Sequence, residues 1–382
     1  MARILFHYSR LNNGGAEKST LRLINALAER NHDVTLVLNV GEGTLEKQID
    51  KRVRKVILFK KPLKAQIFSR KSILGKLGFL LFYSIHLITG LIIENVKKLL
   101  FLFDKRYDLA IISLQGLSPF FVCRIVHASK RMLYIRSDLG KIKKQQIAHN
   151  IKQYSKEIDL FLCVSQTVKD STKTIHQEVY EKSIVLYNII EIDSIIQNAR
   201  IGESPYSLDG KLNLVTVCRM SDVSKGIYRQ LEVIKKLVES GYLFNFYFVG
   251  DGADLLGFKE KAKRLNLNQC VYFIGEKNNP YPYIYHSDLV CVLSYYEGLS
   301  GVVNEAKILG KPVIATEFSG IREQIVNGEN GIIVKNELSA IYEGLKMLLD
   351  DENKLKTISN DVLSSGIKDN MKKIELLESL CY

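Results

Sequence analysis

The chain has 382 residues, 46% hydrophobic and 25% charged, which excludes a disordered chain and leaves room for two domains with large cores. The formal net charge of +13 attracts anions, but the absence of any finger, helix-turn-helix or ribonucleoprotein pattern argues against a nucleic-acid partner. The six cysteines show neither metal-ligand nor disulfide spacing, so we expect reduced, packed thiols in a cytoplasmic protein.

Short apolar runs alternate with amphipathic stretches along most of the chain. This pattern predicts an α/β fold of parallel strands covered on both faces by helices. The run that starts at residue 3 is a strand rather than a secretion signal, because its apolar part is too short. The predicted strands are 3–8, 33–38, 53–59, 109–113, 131–135, 160–164, 183–187, 212–218, 244–249, 271–274, 289–293, 312–316 and 331–334.

A polar stretch at 188–211 separates the two sets of strands. Its Gly202, Pro205 and Gly210 predict a connection rather than a helix. We therefore expect a first domain at 1–190 and a second at 191–368. A final helix at 369–382 has no strand after it, which favours packing back on the first domain.

One segment of the first domain, 60–103, interrupts the alternation. Residues 60–76 carry six basic side chains and no acidic one, and 17 uncharged residues follow at 77–93. A membrane-spanning helix needs about 20 apolar residues, so this run falls short. Two interpretations stay open: a buried helix of the first domain, or an interfacial helix that binds anionic lipid on the inner face of the cell membrane.

The first predicted strand leads into Gly14-Gly15, followed by a helix with Leu21, Ile24 and Leu27 on one face. Paired glycines let the backbone approach a ligand, and a helix N-terminus attracts anions. The pair predicts an anion site, with a plain tight turn as the alternative.

Two cations follow the first strand of the second domain. Arg219 comes directly after the run that ends at Cys218, and Lys225 follows six residues later beside a predicted helix start. Cations at the carboxyl end of a parallel strand are suited to a diphosphate, since Arg forks bidentately and Lys acts as a point charge. A solvated surface pair is the alternative.

Two carboxylates, Glu297 and Glu305, flank a glycine-containing turn after the buried run 289–293. The pattern places Glu297 in the loop and Glu305 about two turns into the next helix. Carboxylates accept hydrogen bonds from vicinal hydroxyls, which favours a sugar and a ribose over phosphate. A surface position for Glu305 is the alternative.

The stretch 285–334 resembles the donor-site region of family four retaining glycosyltransferases, the group 1 enzymes of bacterial surface-polysaccharide type. The resemblance continues outside that stretch and covers nearly the whole chain except about 40–105. Its motifs are Asp288, the Glu297 and Glu305 pair, 310–316, Ser319-Gly320, Glu323, Asn330-Gly331, 14–17, 164–165, Asn188, Arg219, Lys225-Gly226 and 248–252. It implies a GT-B fold, in which two Rossmann-like domains face each other across a cleft. The second domain would bind the nucleotide sugar and the first would lie on the acceptor side.

The resemblance also implies residue roles. Glu297 would contact hydroxyls of the donor sugar, Glu305 the ribose, and Arg219 and Lys225 the diphosphate. Asp138 lies where many members carry a histidine or aspartate near the reacting centre, although a salt bridge between Arg136 and Asp138 is equally compatible with the sequence. The further donor contacts implied are Gly14, Gly15, Gly250, Ser300, Gly301 and Val302, with Ser300 standing where many members have glycine.

The implied reaction is retaining, metal-independent transfer of a sugar from a nucleotide-diphosphate donor, with UDP favoured. The acceptor would be a saccharide or lipid-linked saccharide in bacterial surface polysaccharide synthesis. The lack of an Asp-x-Asp triplet agrees with a diphosphate site that uses no metal ion, and no cofactor is expected. Two alternatives remain: a nucleotide-sugar epimerase of the same fold, and a non-catalytic partner subunit, which would be expected to lose Glu297 or the cations.

Overall fold

The computed structural model describes residues 1–59, 105–141, 145–207, 209–358 and 369–381. By contacts the chain divides into two compact units. The first unit comprises Met1–Val164, Lys169–Ile189 and Asn370–Tyr382, and the second comprises Ser165–Val168 and Ile190–Asp369. The basic and apolar segment at 60–103 lies outside the described residues.

The first unit contains a seven-stranded parallel sheet with the strand order β3-β2-β1-β4-β5-β6-β7. Five of the six residues of β1 are buried, as expected for a parallel strand covered on both faces. The strands are β1 Arg3–Tyr8, β2 Asp33–Val40, β3 Arg54–Phe59, β4 Tyr107–Ile112, β5 Ala128–Ile135, β6 Leu160–Cys163 and β7 Ser183–Val185.

The second unit contains a six-stranded parallel sheet with the order β10-β9-β8-β11-β12-β13. In both sheets the strand order reverses beside the first strand of the unit, since β1 lies between β2 and β4, and β8 between β9 and β11. The strands are β8 Leu212–Val217, β9 Phe244–Val249, β10 Val271–Gly275, β11 Leu289–Val292, β12 Val313–Thr316 and β13 Ile332–Val334.

Helices connect the strands within each unit. They are α1 Gly15–Glu29, α2 Phe120–Arg124, α3 Gln145–Gln153, α4 Gln166–Ser171, α5 Gln177–Glu181, α6 Ile192–Ala199, α7 Asp222–Lys225, α8 Ile227–Glu239, α9 Leu255–Arg264, α10 Tyr281–Tyr285, α11 Gly301–Ile308, α12 Ile321–Gln324, α13 Leu338–Asp350, α14 Glu352–Ile358 and α15 Asn370–Ser379. Among the described residues, no helix combines the length and the apolar character needed to cross a bilayer.

The core of the second unit joins its helices to its sheet. Leu231 and Leu237 of α8 belong to the same buried cluster as Phe246 and Phe248 of β9. Each such side chain contributes about 1.5–3 kcal/mol when it leaves water. This packing fixes the ends of the central strands, and those ends carry the candidate site.

The thirteen predicted strands are confirmed, and the largest shift of an end is at β5, which begins at Ala128 instead of 131. The final helix, α15, belongs to the first unit as expected, and its Glu378 accepts hydrogen bonds from Arg30 and His32. The prediction for 188–211 was partly wrong, because α6 occupies Ile192–Ala199. Its Ile195 and Ala199 are buried four residues apart, and the turn residues start only at Gly202.

Candidate functional site

The second unit brings Lys225 and Glu297 together at one edge of its sheet. Lys225 ends α7 after β8, and Glu297 lies in the loop after β11, the neighbouring strand. The carboxyl ends of parallel strands meet at the same edge, and ligands bind there at the point where the strand order reverses. The two side chains form an ion pair and are 19% and 18% exposed. The predicted cation and carboxylate are therefore neighbours.

The ion pair keeps Lys225 charged. Burial alone would lower the pKa of Lys225, but the Glu297 carboxylate more than compensates, and the pKa lies above its ordinary value. The same carboxylate accepts a hydrogen bond of 3.1 Å from Ser294 Oγ. A cavity of about 10 Å³, the size of one water, lies against the pair and is lined in part by Thr216 and Cys218.

Arg219 follows β8 on the same edge and is exposed. Its positive charge acts on Lys225, where it opposes the rise in pKa. The structure thus places both predicted cations close to each other, with Arg219 facing water and Lys225 half-buried. Together they form a positive edge beside the Glu297 carboxylate.

The loop between Glu297 and α11 is held from two sides. Ser165 Oγ donates to Gly298 O at 3.1 Å. The amide of Gln324 accepts from Ser300 N at 3.0 Å and donates to Ser300 O at 2.7 Å. The Ser300 N–H is therefore engaged within the protein. Gly301 and Val302 begin α11, where the first amide groups have no partner inside the helix.

Gly320 lets a neighbouring turn approach this loop. Its φ is +79°, and a Cβ at that position would lie 2.2 Å from Gly298 O. The short helix α12, which follows Gly320, is also held in place. Its Glu323 accepts hydrogen bonds from the backbone N–H groups of Gln166 and Thr167 at 2.9 and 3.0 Å. The close contact requires glycine and restrains the shape of the Glu297 loop.

Glu305 and Gly250 both lie towards the carboxyl edge of the second sheet. Glu305 is half-buried and lies one turn into α11 rather than two, because the helix begins as late as Gly301. Gly250 directly follows β9, the other neighbour of β8, and its N–H donates to Gly275 O at 2.9 Å. Both predicted residues therefore lie at or near the edge that carries the ion pair.

In the first unit, Gly14 and Gly15 lie where they were predicted. Gly14 is the extended N-cap of α1, which begins at Gly15 directly after the β1 loop. No side-chain oxygen of Gly14 can cap the helix, so the first amides of α1 are left to other partners. The geometry is that of a helix N-terminus at the point of strand reversal.

Asp138 and Arg136 follow β5 and differ in burial and in their hydrogen-bond partners. Asp138 is half-buried, and its Oδ1 accepts from Gly140 N at 2.9 Å. Arg136 is buried, and its hydrogen bonds run to neutral groups. These acceptors are Ser113 O at 3.0 Å, Ser19 Oγ at 3.2 Å, Asn188 Oδ1 at 2.9 Å and Thr20 Oγ1 at 2.9 Å.

Sequence reasoning missed the residues that support the site. Ser294 bonds Glu297, and Gln324 bonds Ser300 across 24 positions of sequence. The signal for Ser294 was available, because it directly follows the apolar run of β11 at the edge where polar residues gather. Gln324 lies in a short helix whose side-chain direction no sequence pattern indicates.

Two parallel-sheet, Rossmann-like units with polar groups at the carboxyl ends of their central strands define the GT-B fold. The solved structure of HepE from Anabaena, in complex with UDP and glucose, has this fold. It superposes with a TM-score of 0.76 at 18% identity and covers 99% of each chain. At this identity the likeness establishes the fold.

The sequence profile of the family described as "Glycosyl transferases group 1" matches residues 204–362. An uncharacterized glycosyltransferase of Haemophilus influenzae is 24% identical over 344 residues, which cover 88% of this chain and 87% of that protein. The N-acetylgalactosamine-N,N'-diacetylbacillosaminyl-diphospho-undecaprenol 4-alpha-N-acetylgalactosaminyltransferase of Campylobacter jejuni is 30% identical over 189 residues, 47% of this chain and 48% of that protein. Together these matches support a group 1 glycosyltransferase that uses a nucleotide sugar.

Proposed function

We propose that this glycosyltransferase moves a sugar from a UDP sugar to a saccharide or lipid-linked saccharide in bacterial surface polysaccharide synthesis. The observation that carries the proposal is the Lys225–Glu297 pair, which lies at the strand reversal within the matched residues 204–362. UDP is supported by the complex of the similar HepE, and a lipid-linked acceptor by the name of the Campylobacter relative.

The chemistry of the transfer suits this pair. Cleavage of the bond between the anomeric carbon and the diphosphate leaves negative charge on the departing oxygen. Lys225 and Arg219 would stabilise that charge, and preorganised charges of this kind often supply the largest catalytic effect. The amide groups at the start of α11 would add the positive end of a helix dipole. With two cations on the diphosphate, we propose a reaction that needs no metal ion. Retention of the anomeric configuration is what the resemblance to family four enzymes implies, and it stays part of the proposal.

The carboxylates complete the donor contacts in this proposal. Glu297 would hold Lys225 with one oxygen and accept sugar hydroxyls with the other, and Glu305 would accept ribose hydroxyls. The roles of Gly14, Gly15 and Asp138 in the first unit stay predictions. An acceptor at an anionic membrane also stays a prediction, because the segment that suggests it, 60–103, lies outside the described residues.

Calorimetric titration with UDP, GDP and ADP, without added metal and with a chelator present, tests the donor site. We expect saturable binding of UDP by the wild type and a loss of about 10- to 100-fold in affinity for Lys225→Ala, the range for a lost charge-assisted hydrogen bond. The matched control is Lys346→Ala, which removes an exposed lysine paired with Asp350 in the same unit and should bind UDP like the wild type.

Two results would contradict the proposal. Equal binding by Lys225→Ala and the wild type would remove Lys225 from the donor site. A folded wild type that binds none of the three nucleotides would favour the non-catalytic partner subunit. If the protein preferred GDP or ADP, the proposed glycosyl transfer would stand, but the donor would carry guanine or adenine instead of uracil.

A further inference from the structure

Tyr295 joins the loop that carries Lys225 to the loop that carries Glu297. It lies two residues before Glu297, and its backbone N–H donates to Ser224 O at 2.8 Å, directly before Lys225. Its ring lies against Gly226, directly after Lys225, where a Cβ would be 3.0 Å from ring atom Cε2. Tyr295 thus contacts the residues on both sides of Lys225.

Arg229 supports the ring of Tyr295. The guanidinium carbon of Arg229 lies 4.1 Å from the ring centroid. Arg229 is 8% exposed, and its fork donates to Asn336 Oδ1 at 2.6 Å and to Leu293 O at 2.8 Å. A guanidinium held flat by two such bonds is a rigid stacking partner for an aromatic ring.

Asn336 bonds both Tyr295 and Arg229. Its Nδ2 donates to Tyr295 O at 2.7 Å, while its Oδ1 accepts from Arg229. The backbone of Tyr295 is therefore held at both its N–H and its C=O, and its ring is held by Arg229. Among the described residues of the site, this arrangement links the Lys225 loop, the Glu297 loop and Asn336, the second residue after β13.

We propose that Tyr295, supported by Arg229, is a positioning residue that fixes Lys225 against Glu297 for the donor diphosphate. The inference rests on the proposed function, because it assumes that Lys225 holds the diphosphate. Lysine is a flexible four-carbon chain, and a displacement of about 1 Å in a site can cost a hundredfold in rate. The contacts of Tyr295 with Ser224 and Gly226 fix the backbone on both sides of Lys225 and so restrain the position from which its side chain extends.

The test is UDP affinity by calorimetry in a double-mutant cycle of Tyr295→Ala and Lys225→Ala. We expect Tyr295→Ala to weaken UDP binding about tenfold in the wild-type background and to change it little in the Lys225→Ala background, because residues that act through one another are not additive. Tyr295→Phe keeps the ring and should restore wild-type affinity. A structural defect would not be expected to disappear when Lys225 is removed.

The matched control is Tyr180→Ala in the first unit. Lys173 Nζ lies 4.1 Å from the ring centroid of Tyr180, so the change removes a comparable stack in the unit that does not carry Lys225 and Glu297. It should leave UDP affinity unchanged. Thermal unfolding of each variant shows whether it is folded, and Tyr295→Leu replaces any alanine variant that is not.

The outcomes separate the inference from the proposed function. Wild-type UDP binding with equal binding by Tyr295→Ala overturns the inference alone. Equal losses in both backgrounds, or no restoration by Tyr295→Phe, also overturn it, because Tyr295 would then not act through Lys225. A wild type that binds no nucleotide overturns the proposed function and the inference together.

Discussion

Each unit places a cation at the carboxyl edge of its sheet, and the two cations have different partners. Arg136 in the first unit donates to three side-chain oxygens and one backbone carbonyl, all of them neutral. Lys225 in the second unit faces a carboxylate, Glu297, and both members of that pair are partly exposed. The first cation is used to connect segments of its own unit, whereas the second retains a partner that a ligand can share.

Arg136 and Lys225 differ in how many buried hydrogen bonds an incoming anion would have to break to bind them. The bonds of Arg136 reach α1, the residue after β4 and Asn188 after β7, so an incoming anion would have to break several buried contacts at once. The Lys225–Glu297 pair keeps 19% and 18% of its side-chain surface exposed, so an incoming anion can contact Lys225 without first breaking several buried contacts. A similar position on two similar sheets therefore supports structure in one unit and a candidate ligand site in the other.

The largest expected effect is on stability, from Arg136→Met. The change removes the donor to Ser19 and Thr20, while Asn188 Oδ1 keeps its hydrogen bond from Ser19 Oγ. The loss of several buried bonds should lower the free energy of unfolding by about 3–5 kcal/mol. Denaturant titration measures this, with Arg322→Met, which removes an exposed pair with Glu317, as the control. If Arg136→Met lost as much UDP affinity as Lys225→Ala and kept its stability, Arg136 would be a ligand-binding cation and not a structural one.

A smaller effect is expected from Gly320→Ala, which tests the rigid support of the Glu297 loop. The Cβ would meet Gly298 O at 2.2 Å, at a φ of +79°. We expect about 2–3 kcal/mol of destabilisation together with weaker UDP binding. Gly328→Ala is the control, because its φ is +86° but no described atom lies within 4 Å of its Cβ. If both variants lose the same stability and bind UDP equally, the contact with Gly298 does not restrain the loop.

The smallest effect concerns α15, whose Lys373 donates to the backbone of Asn188, the residue that also bonds Arg136. Hydrogen bonds from Arg30 and then His32 hold the pKa of Glu378 below its ordinary value. A lowered folded-state pKa gives stability that is present above the unfolded-state pKa and lost as pH falls through the folded-state pKa.

Unfolding measured from pH 7 down to about pH 3 tests this contribution. We expect Glu378→Gln to be less stable than the wild type at pH 7, by less than Gly320→Ala, and the two curves to converge in acid. Glu260→Gln, which changes an exposed carboxylate of α9 in the second unit, is the control and should follow the wild type throughout. A constant difference between Glu378→Gln and the wild type at every pH would show that the carboxylate charge is not involved.

The strands and the positions of Lys225 and Glu297 at the carboxyl edge of the second sheet could be predicted, because both depend on local patterns. A parallel strand buried on both faces is a continuous apolar run, and polar residues after such runs share one edge of the sheet. Helix α6 could also have been predicted, since Ile192, Ile195 and Ala199 recur at helical spacing, whereas the turn residues that predicted a connection start only at Gly202. The prediction of Glu305 was off by one turn, because the start of α11 depends on the bonds between Ser300 and Gln324.

By itself, the sequence determined the class of the protein: the order of apolar runs specified two parallel sheets, and the motifs after their central strands pointed to a diphosphate sugar donor. Only the tertiary structure decided which polar side chains support those motifs. Arg136 reaches Ser19 across 117 positions, and Arg229 reaches Leu293 across 64. Such partners depend on how strands and helices pack and on which way each side chain points, and neither property has a period in the sequence.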